Sequence, residues 1–407
     1  MAVPKLRFKA DDGSDYPGLE ETKLDTLMAF KNGINASGDK FGRGTKCISV
    51  MDILNNSCIT YDVIKGEVDV DEKILQNFTV ENGDAVFQRS SENVQDAGRA
   101  NVYMDKDRPA TFSGFVIRGK RIANYEPMFM NGLLNTFSVR KQIMSKAQGA
   151  QHINIGQEIL SSVRVNMPSL PEQQKIAEFL STIDTVIEKQ KETVSAWEER
   201  KKGVMQKLFS QKVRFKADDG SDFPEWKEHE IAELIQLYNE KVSSDCQLPI
   251  LTSSKKNGIE YQEEHFAGKQ RHDIEGYNVL PRNYCTYRNR SDGTDFTFNI
   301  NKLCDKGIVS KFYPVFKEND CDLFFLVSLL NNERKTVRKI AYTAKGTGQK
   351  VLSITDLRNI TVDMPSLPEQ QKISDCLSSL DDVIAKQKAT LAAWEEMKKG
   401  LLQQMFV

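Results

Sequence analysis

Met167–Ile176 reads MPSLPEQQKI, and Met364–Ile373 reads MPSLPEQQKI again, 197 residues further on. Upstream of each copy, Arg7–Pro17 is RFKADDGSDYP and Arg214–Pro224 is RFKADDGSDFP, one difference at an offset of 207. Self-similarity of this kind marks one structural unit built twice. The frames enclose middles of 149 residues, between Pro17 and Met167, and 139 residues, between Pro224 and Met364, and the two middles barely resemble each other. Shared frames around divergent inserts imply one architectural job done twice and two different recognition jobs.

The frame is helical. Ser169 with Glu172, and Ser366 with Glu369, have capping-box spacing, and Pro171 and Pro368 fall in the first turn, where a missing N–H does no harm. Beyond each start, Ile176, Leu180, Ile183, Ile187, Gln190, Val194, Trp197, Lys201, Val204 and Leu208 alternate spacings of four and three, the seam of a coiled coil. Ile373, Leu377, Leu380, Ile384, Gln387, Leu391, Trp394, Lys398, Leu401 and Met405 repeat it, polar interruptions included. Such a stripe packs either on its own globular domain or on a second helix. Each seam is ~50 Å long at 1.5 Å per residue, more than one domain core needs, so specific pairing of the two helices is expected. Antiparallel pairing puts one insert at each end and brings Lys5–Pro17 onto the last turns of the second helix, as Lys212–Pro224 follow the first. Gly203 and Gly400 inside the helices are expected to mark a close contact or a mild kink.

A chain of 407 residues with this repeat holds two recognition domains. The expected segments are 1–19, docking near the C-terminal helix; 20–166, the first recognition domain; 167–212, a spacer helix; 213–363, the second domain; and 364–407, the second spacer. The fold class is α+β with two long antiparallel coiled-coil helices. With 56 basic and 57 acidic residues, the chain lacks the global charge of a stand-alone nucleic-acid binder. Affinity for a polyanion then has to come from local basic patches and from a partner. The seven cysteines, without a C-x-x-C pair, fit neither a disulfide framework nor a zinc module and read as reduced packing thiols. No run approaches the roughly 20 apolar residues of a membrane span, and MAVPKLRFKADDG lacks a signal peptide's apolar core, so the expected compartment is the cytoplasm.

In the first insert KCISV, FTVENGDAVFQRS and TFSGFVIRG read as strands, with a helix from Pro127 to Lys146. In the second, LPILTSS, YNVL, YCTYR and GIVSKFYPVF read as strands, and Leu323 to Ile340 as a helix whose far side carries Arg334, Lys335, Arg338 and Lys339. Polar and basic residues gather in loops: Arg43, Lys46, Gln88, Arg89, Ser90 and His152 in the first insert, Lys255, Lys256, Tyr287, Arg288, Arg290, Gln349 and Lys350 in the second. These side chains include the types that reach base edges and phosphates, and two of the loops contain glycine, KAQGAQHINI and KGTGQKVL.

The duplicated MPSLPEQQKI frame with its heptad helix, LPILTSS, GIVSKFYPVF and VENGDAVFQRS together resemble the specificity subunit of type I restriction-modification systems. The resemblance covers nearly the whole chain. It implies that each insert reads one half of a bipartite double-stranded DNA sequence and that the helices set the gap. It also implies that the helices dock methyltransferase subunits, two of them, with restriction and translocase subunits completing the complex. S-adenosylmethionine, ATP and magnesium are expected on those partners only. The chain itself offers no N-P-P or D-P-P methyltransferase motif, no P-loop, and only four histidines in no metal or triad spacing, so no catalytic residue and no metal ligand is expected.

Overall fold

The computed structural model describes residues 4–147, 149, 153–266 and 273–406. They form two compact units, one running up to Lys191 and resuming at Ala389, the other Glu192–Lys388. His152 lies outside the described residues.

In the first unit the strands are β1 (Glu20–Lys23), β2 (Met28–Asn32), β3 (Phe41–Ile48), β4 (Glu67–Val68), β5 (Ala85–Gln88), β6 (Ser90–Ser91), β7 (Ala100–Val102), β8 (Thr111–Phe112), β9 (Val116–Arg121), β10 (Ile153–Asn154) and β11 (Arg164–Met167). Helices α1 (Pro127–Leu134), α2 (Phe137–Lys146) and α3 (Gln157–Ser161) accompany them. The central sheet runs β2–β9–β5–β7, beside a β4–β3–β8 sheet and the two-stranded pairs β1–β11 and β6–β10. Period-two alternation divides the core: Ala85, Phe87 and Ile117 face one cluster with α1 and α2, while Val86 and Val116 face another with Tyr103 and Phe112.

The second unit repeats this plan. Its strands are β12 (Lys227–Glu230), β13 (Ile235–Tyr238), β14 (Leu251–Ser254), β15 (Gly258–Tyr261), β16 (Asn278–Pro281), β17 (Cys285–Tyr287), β18 (Arg290–Ser291), β19 (Phe298–Ile300), β20 (Lys306–Val309), β21 (Val315–Glu318), β22 (Lys350–Val351) and β23 (Thr361–Met364). The sheet β13–β21–β17–β19 answers to β2–β9–β5–β7, the pair β12–β23 to β1–β11, and β18–β22 to β6–β10. Two inserts without visible sequence likeness therefore share a scaffold.

Several expected elements are interrupted. Pro127–Lys146 is two helices: at Asn135 and Thr136 the backbone N–H groups tighten onto the Gly132 and Leu133 carbonyls, and the Asn135 side-chain amide donates to the carbonyls of Ala100 and Asn131. Leu323–Ile340 is likewise split, into α4 (Leu323–Asn332) and α5 (Arg334–Thr343). Glu333 ends the first of these and caps the second, its carboxylate accepting from the N–H groups of Lys335 and Thr336. FTVENGDAVFQRS turns at Gly83, with φ of +88°, and only its later part is strand. GIVSKFYPVF is two strands joined by a turn.

Two long helices follow the domains, α6 (Leu170–Phe209) and α7 (Leu367–Met405). Both packing modes considered for their stripes occur, at different heights. Outer turns join the domain cores: Ile176, Leu180 and Met405 in the first unit, Leu208, Ile373 and Leu377 in the second. Ile183, Ile187, Val194 and Ile384 are buried beyond those cores, while Gln190, Trp197, Leu380, Gln387, Leu391 and Trp394 are half-buried. In the second unit Glu198 pairs with Lys388 and Lys201 with Asp381, at 2.6 and 2.5 Å, so the partner number falls as the helix ascends. The helices are antiparallel. In the first unit Lys398 pairs with Asp184, the same bond with its two ends exchanged between the repeats.

The helix starts depart from the capping-box expectation. Ser169 and Ser366 leave their hydroxyls without a hydrogen bond among the described residues, and the glutamates turn instead to the arginines of the upstream motif. Arg7 meets Glu172 through Nε at 2.9 Å and Nη2 at 2.5 Å; Arg214 meets Glu369 at 3.0 and 2.7 Å. Both carboxylates are buried, and the hydrogen bond to each raises the arginine further above its ordinary pKa. Gln173 and Gln370 tie the same turn to the domain, accepting from the N–H of Glu126 and Asp322 and donating to Pro168 and Pro365. Leu6 N–H donates to the Gln404 carbonyl as Val213 N–H donates to Lys207. Gly203 and Gly400 do not mark a close contact, since a Cβ at either would meet nothing within 4 Å.

Arg7→Met strands a buried carboxylate and is expected to lower stability by about 3 kcal/mol or more, with most of it recovered in the Arg7→Met/Glu172→Leu double variant. Calorimetric unfolding checks this; a loss below about 1 kcal/mol would mean the pair is solvated. Gly203→Ala and Gly400→Ala should each raise stability by about 0.5–1 kcal/mol through helix propensity, read in the same scans, whereas a hidden close approach would make them destabilising.

Candidate nucleic-acid interface

Loop residues far apart in sequence converge on short two-stranded ribbons. In the second unit Arg290 stands opposite Val351 and Ser291 opposite Lys350, so β18–β22 brings Arg290 into one short ribbon with Lys350 and sets Gln349 across from Asp292, while Arg288 lies toward the other end of the ribbon. The following loop gathers the rest. Gln349 Nε2 donates to Asp292 Oδ1 at 3.1 Å, and Lys255, at the tip of the β14–β15 hairpin, donates to Asp295 Oδ2 at 2.8 Å. Lys256 lies exposed on the same tip. Lys255 and Gln349 thus meet at one loop through its two carboxylates, with Lys256 beside the first and Lys350 beside the second, while Arg290, opposite Val351, takes the other face of the ribbon from Lys350. The Arg290 guanidinium lies over the Phe312 ring at 4.1 Å, which holds its plane. Lys345 closes the β22 turn onto Asp356 at 2.7 Å, and that bond with the Ser353 hydroxyl lowers the Asp356 pKa.

The first unit has the equivalent ribbon with different chemistry. Ser90 stands opposite Asn154 and bonds it through its hydroxyl. Arg89 is half-buried, its Nη1 donating to the Gly114 carbonyl at 3.2 Å. Its N–H donates to the Phe115 carbonyl, as that of Asn289 donates to Phe312. An aromatic therefore flanks each ribbon, and Phe115 is 67% exposed. Arg43 and Lys46 lie on the separate β3–β4 ribbon, paired with Asp69 at 3.1 Å and Glu67 at 3.0 Å.

Two expected contacts are corrected. Tyr287 is fully buried, its hydroxyl donates to the Leu352 carbonyl at 3.0 Å, and burial raises its pKa. It is a core residue: in β17 positions 285 and 287 share the inward face. Gln88 is also buried, at the end of the central strand β5, with its amide donating to the Ser90 carbonyl. Sequence reading missed Phe115, Phe312, Asp292 and Asp295. The aromatics were absorbed into expected strands, and the aspartates signal nothing until folding brings them to Gln349 and Lys255.

A two-domain chain with one recognition scaffold built twice, variable ribbon surfaces and a duplicated helical frame defines a class of modular DNA-recognition subunit. The family profile described as the Type I restriction modification DNA specificity domain matches residues 50–195 and 225–393. The chain belongs to that family. It is 25% identical over 432 residues to the putative type I restriction enzyme MjaX specificity subunit of Methanocaldococcus jannaschii, covering 97% of this chain and 94% of the relative. The MjaVIII specificity subunit of the same organism is 25% identical over 288 residues, 63% of this chain and 64% of that protein. In fold, the chain is similar to a type I S subunit structure from M. genitalium, with a TM-score of 0.54, 14% identity and coverage of 100% of this chain and 99% of that one. It is also similar to a chain in a structure concerned with assembly of the type I system, at a TM-score of 0.52, 14% identity and 96% and 97% coverage. Among the described residues no helix is long and apolar enough to cross a membrane.

Tyr287→Phe is expected to lower stability by about 1 kcal/mol, from the lost buried hydrogen bond, and to leave DNA preference unchanged. Arg290→Ala should do the reverse, weakening DNA binding with little change in melting temperature. Titration and melting of both variants separate the two roles.

Proposed function

We propose that the chain is the non-catalytic DNA reader of a type I complex, with residues 20–166 and 213–363 each recognising one half of a bipartite site. Residues 167–212 and 364–407 form the spacer that sets the gap and docks methyltransferase subunits, two of them, and residues 1–19 tie the second spacer helix to the first domain. Adenine methylation, and restriction by translocase subunits, are carried out by those partners in the cytoplasm, with S-adenosylmethionine, ATP and magnesium bound on them. The observation that carries this reading is the pairing of identity with difference. The frame bonds recur residue for residue, Arg7–Glu172 as Arg214–Glu369 and Asp184–Lys398 as Asp381–Lys201, while the ribbons they support present Ser90 and Asn154 in one domain and Arg290 and Lys350 in the other. A ruler needs equal ends, and two half-sites need unlike readers.

The test is methylation-motif mapping in a host expressing the chain with its methyltransferase partner. A two-part motif with a fixed gap is expected. Exchanging residues 225–363 for the corresponding segment of another specificity subunit should change one half of that motif and leave the other half and the gap intact; a single continuous motif, or loss of both halves on exchange, would contradict the reading.

A further inference from the structure

Helix α5 (Arg334–Thr343) has two unlike sides. Lys335 is bound to Asp363 at 2.8 Å, and Lys339 to the Thr361 carbonyl at 2.7 Å and to Glu228. Those cations are neutralised against β12 and β23. Arg334, Arg338 and Tyr342 follow one another at a spacing of four along another stripe. All three are exposed, Tyr342 at 89%, and no carboxylate pairs with either arginine among the described residues. Two free guanidinium groups in line with an exposed aromatic ring form a strongly basic strip on a nearly neutral chain.

The strip begins beside the Lys255 side of the candidate DNA surface of its own unit. A cleft of about 350 Å³ is walled on one side by Lys255, Thr294 and Asp295 and on the other by Asn332 and Val337. Val337 lies one helical turn from Arg334, which sets Arg334 beside a cleft whose opposite wall carries Lys255, and Arg338 and Tyr342 step further round the helix from that edge. The equivalent stripe on α2 of the first unit is Phe137, Lys141 and Ser145, with one cation. A protein partner shared by both halves would meet duplicated residues, as Glu198 and Lys202 recur as Glu395 and Lys399 on the long helices. This stripe is not duplicated.

We infer that Arg334 and Arg338, with Tyr342, form a backbone-contact strip that extends the DNA footprint of the second recognition domain beyond its ribbon, giving that half-site the larger sequence-independent electrostatic component. The inference rests on the DNA-reading role proposed above. Phosphate contacts position a protein without reading bases, so the strip adds affinity and salt dependence and leaves the motif alone.

The experiment uses the full chain assembled with its methyltransferase partner. Arg334→Gln/Arg338→Gln is compared with the unaltered chain by titration of cognate and scrambled duplexes between about 50 and 200 mM salt, with melting curves to confirm folding. Binding should weaken by a similar factor for both duplexes, the slope of log K against log salt should fall by about 2, and the methylated motif should stay the same. Lys141→Gln should move the slope by at most about 1. Overturning results are an unchanged slope with weaker assembly of the subunits, which makes the strip a protein-docking face, or an unchanged slope with unchanged assembly, which makes it a solvated surface. A changed motif would assign the arginines to base reading and overturn the backbone role. If the unaltered complex itself showed no sequence preference, the DNA-reader assignment would fail, while the slope comparison would still report whether these arginines touch phosphate.

Discussion

Each long helix begins with a glutamate that is buried against an arginine from the segment upstream of its domain. A carboxylate removed from water is tolerated only with a counter-charge and donors of good geometry, and Arg7 and Arg214 supply both through two nitrogens each. This requirement closes each recognition domain into a ring: the arginine enters at the start of the unit, and the glutamate stands at its end, with the variable insert between. Gln173 and Gln370 add neutral bonds from the same helical turn to the first residues of the domain's own helices. The insert can therefore change its sequence while its two ends remain held in place.

Much of this frame was legible because its determinants are local. Heptad spacing, the prolines of the first turn and the polar interruptions at Lys201 and Lys398 all follow from neighbours on one helix. Their partners do not. That Lys201 meets Asp381, or that Glu172 turns from Ser169 to Arg7, depends on how segments more than a hundred residues apart come together, and no single-helix pattern contains it. The close contact expected as one reading of Gly203 and Gly400 fails for a related reason, since a gap in a side-chain stripe looks the same whether a neighbour approaches or only solvent does.

The inserts were legible in type and poorly in detail. Strand alternation locates the sheets, yet the polar character of Tyr287 and Gln88 points to loop contacts while their strands turn them inward. The convergence of β18 with β22, and of β6 with β10, could be read only as separate polar loops. Folding adds what makes those loops a surface: Asp292 and Asp295 hold Gln349 and Lys255 in place, and Phe312 braces Arg290. Exposed base-reading chemistry leaves a weak trace in sequence because its residue types are also those of ordinary surfaces.

A nearly neutral chain that reads DNA needs its basic groups concentrated and correctly spaced, and the proposed function assigns that spacing to the paired helices. The most direct test is to insert one heptad after Gln190 and one after Gln387, keeping the seam in register, and to map the methylated motif of the assembled complex. Seven residues add about 10 Å of helix, so the gap between half-sites should widen by up to about three base pairs with both half-sites unchanged. An unchanged gap, or altered half-sites, would contradict the account.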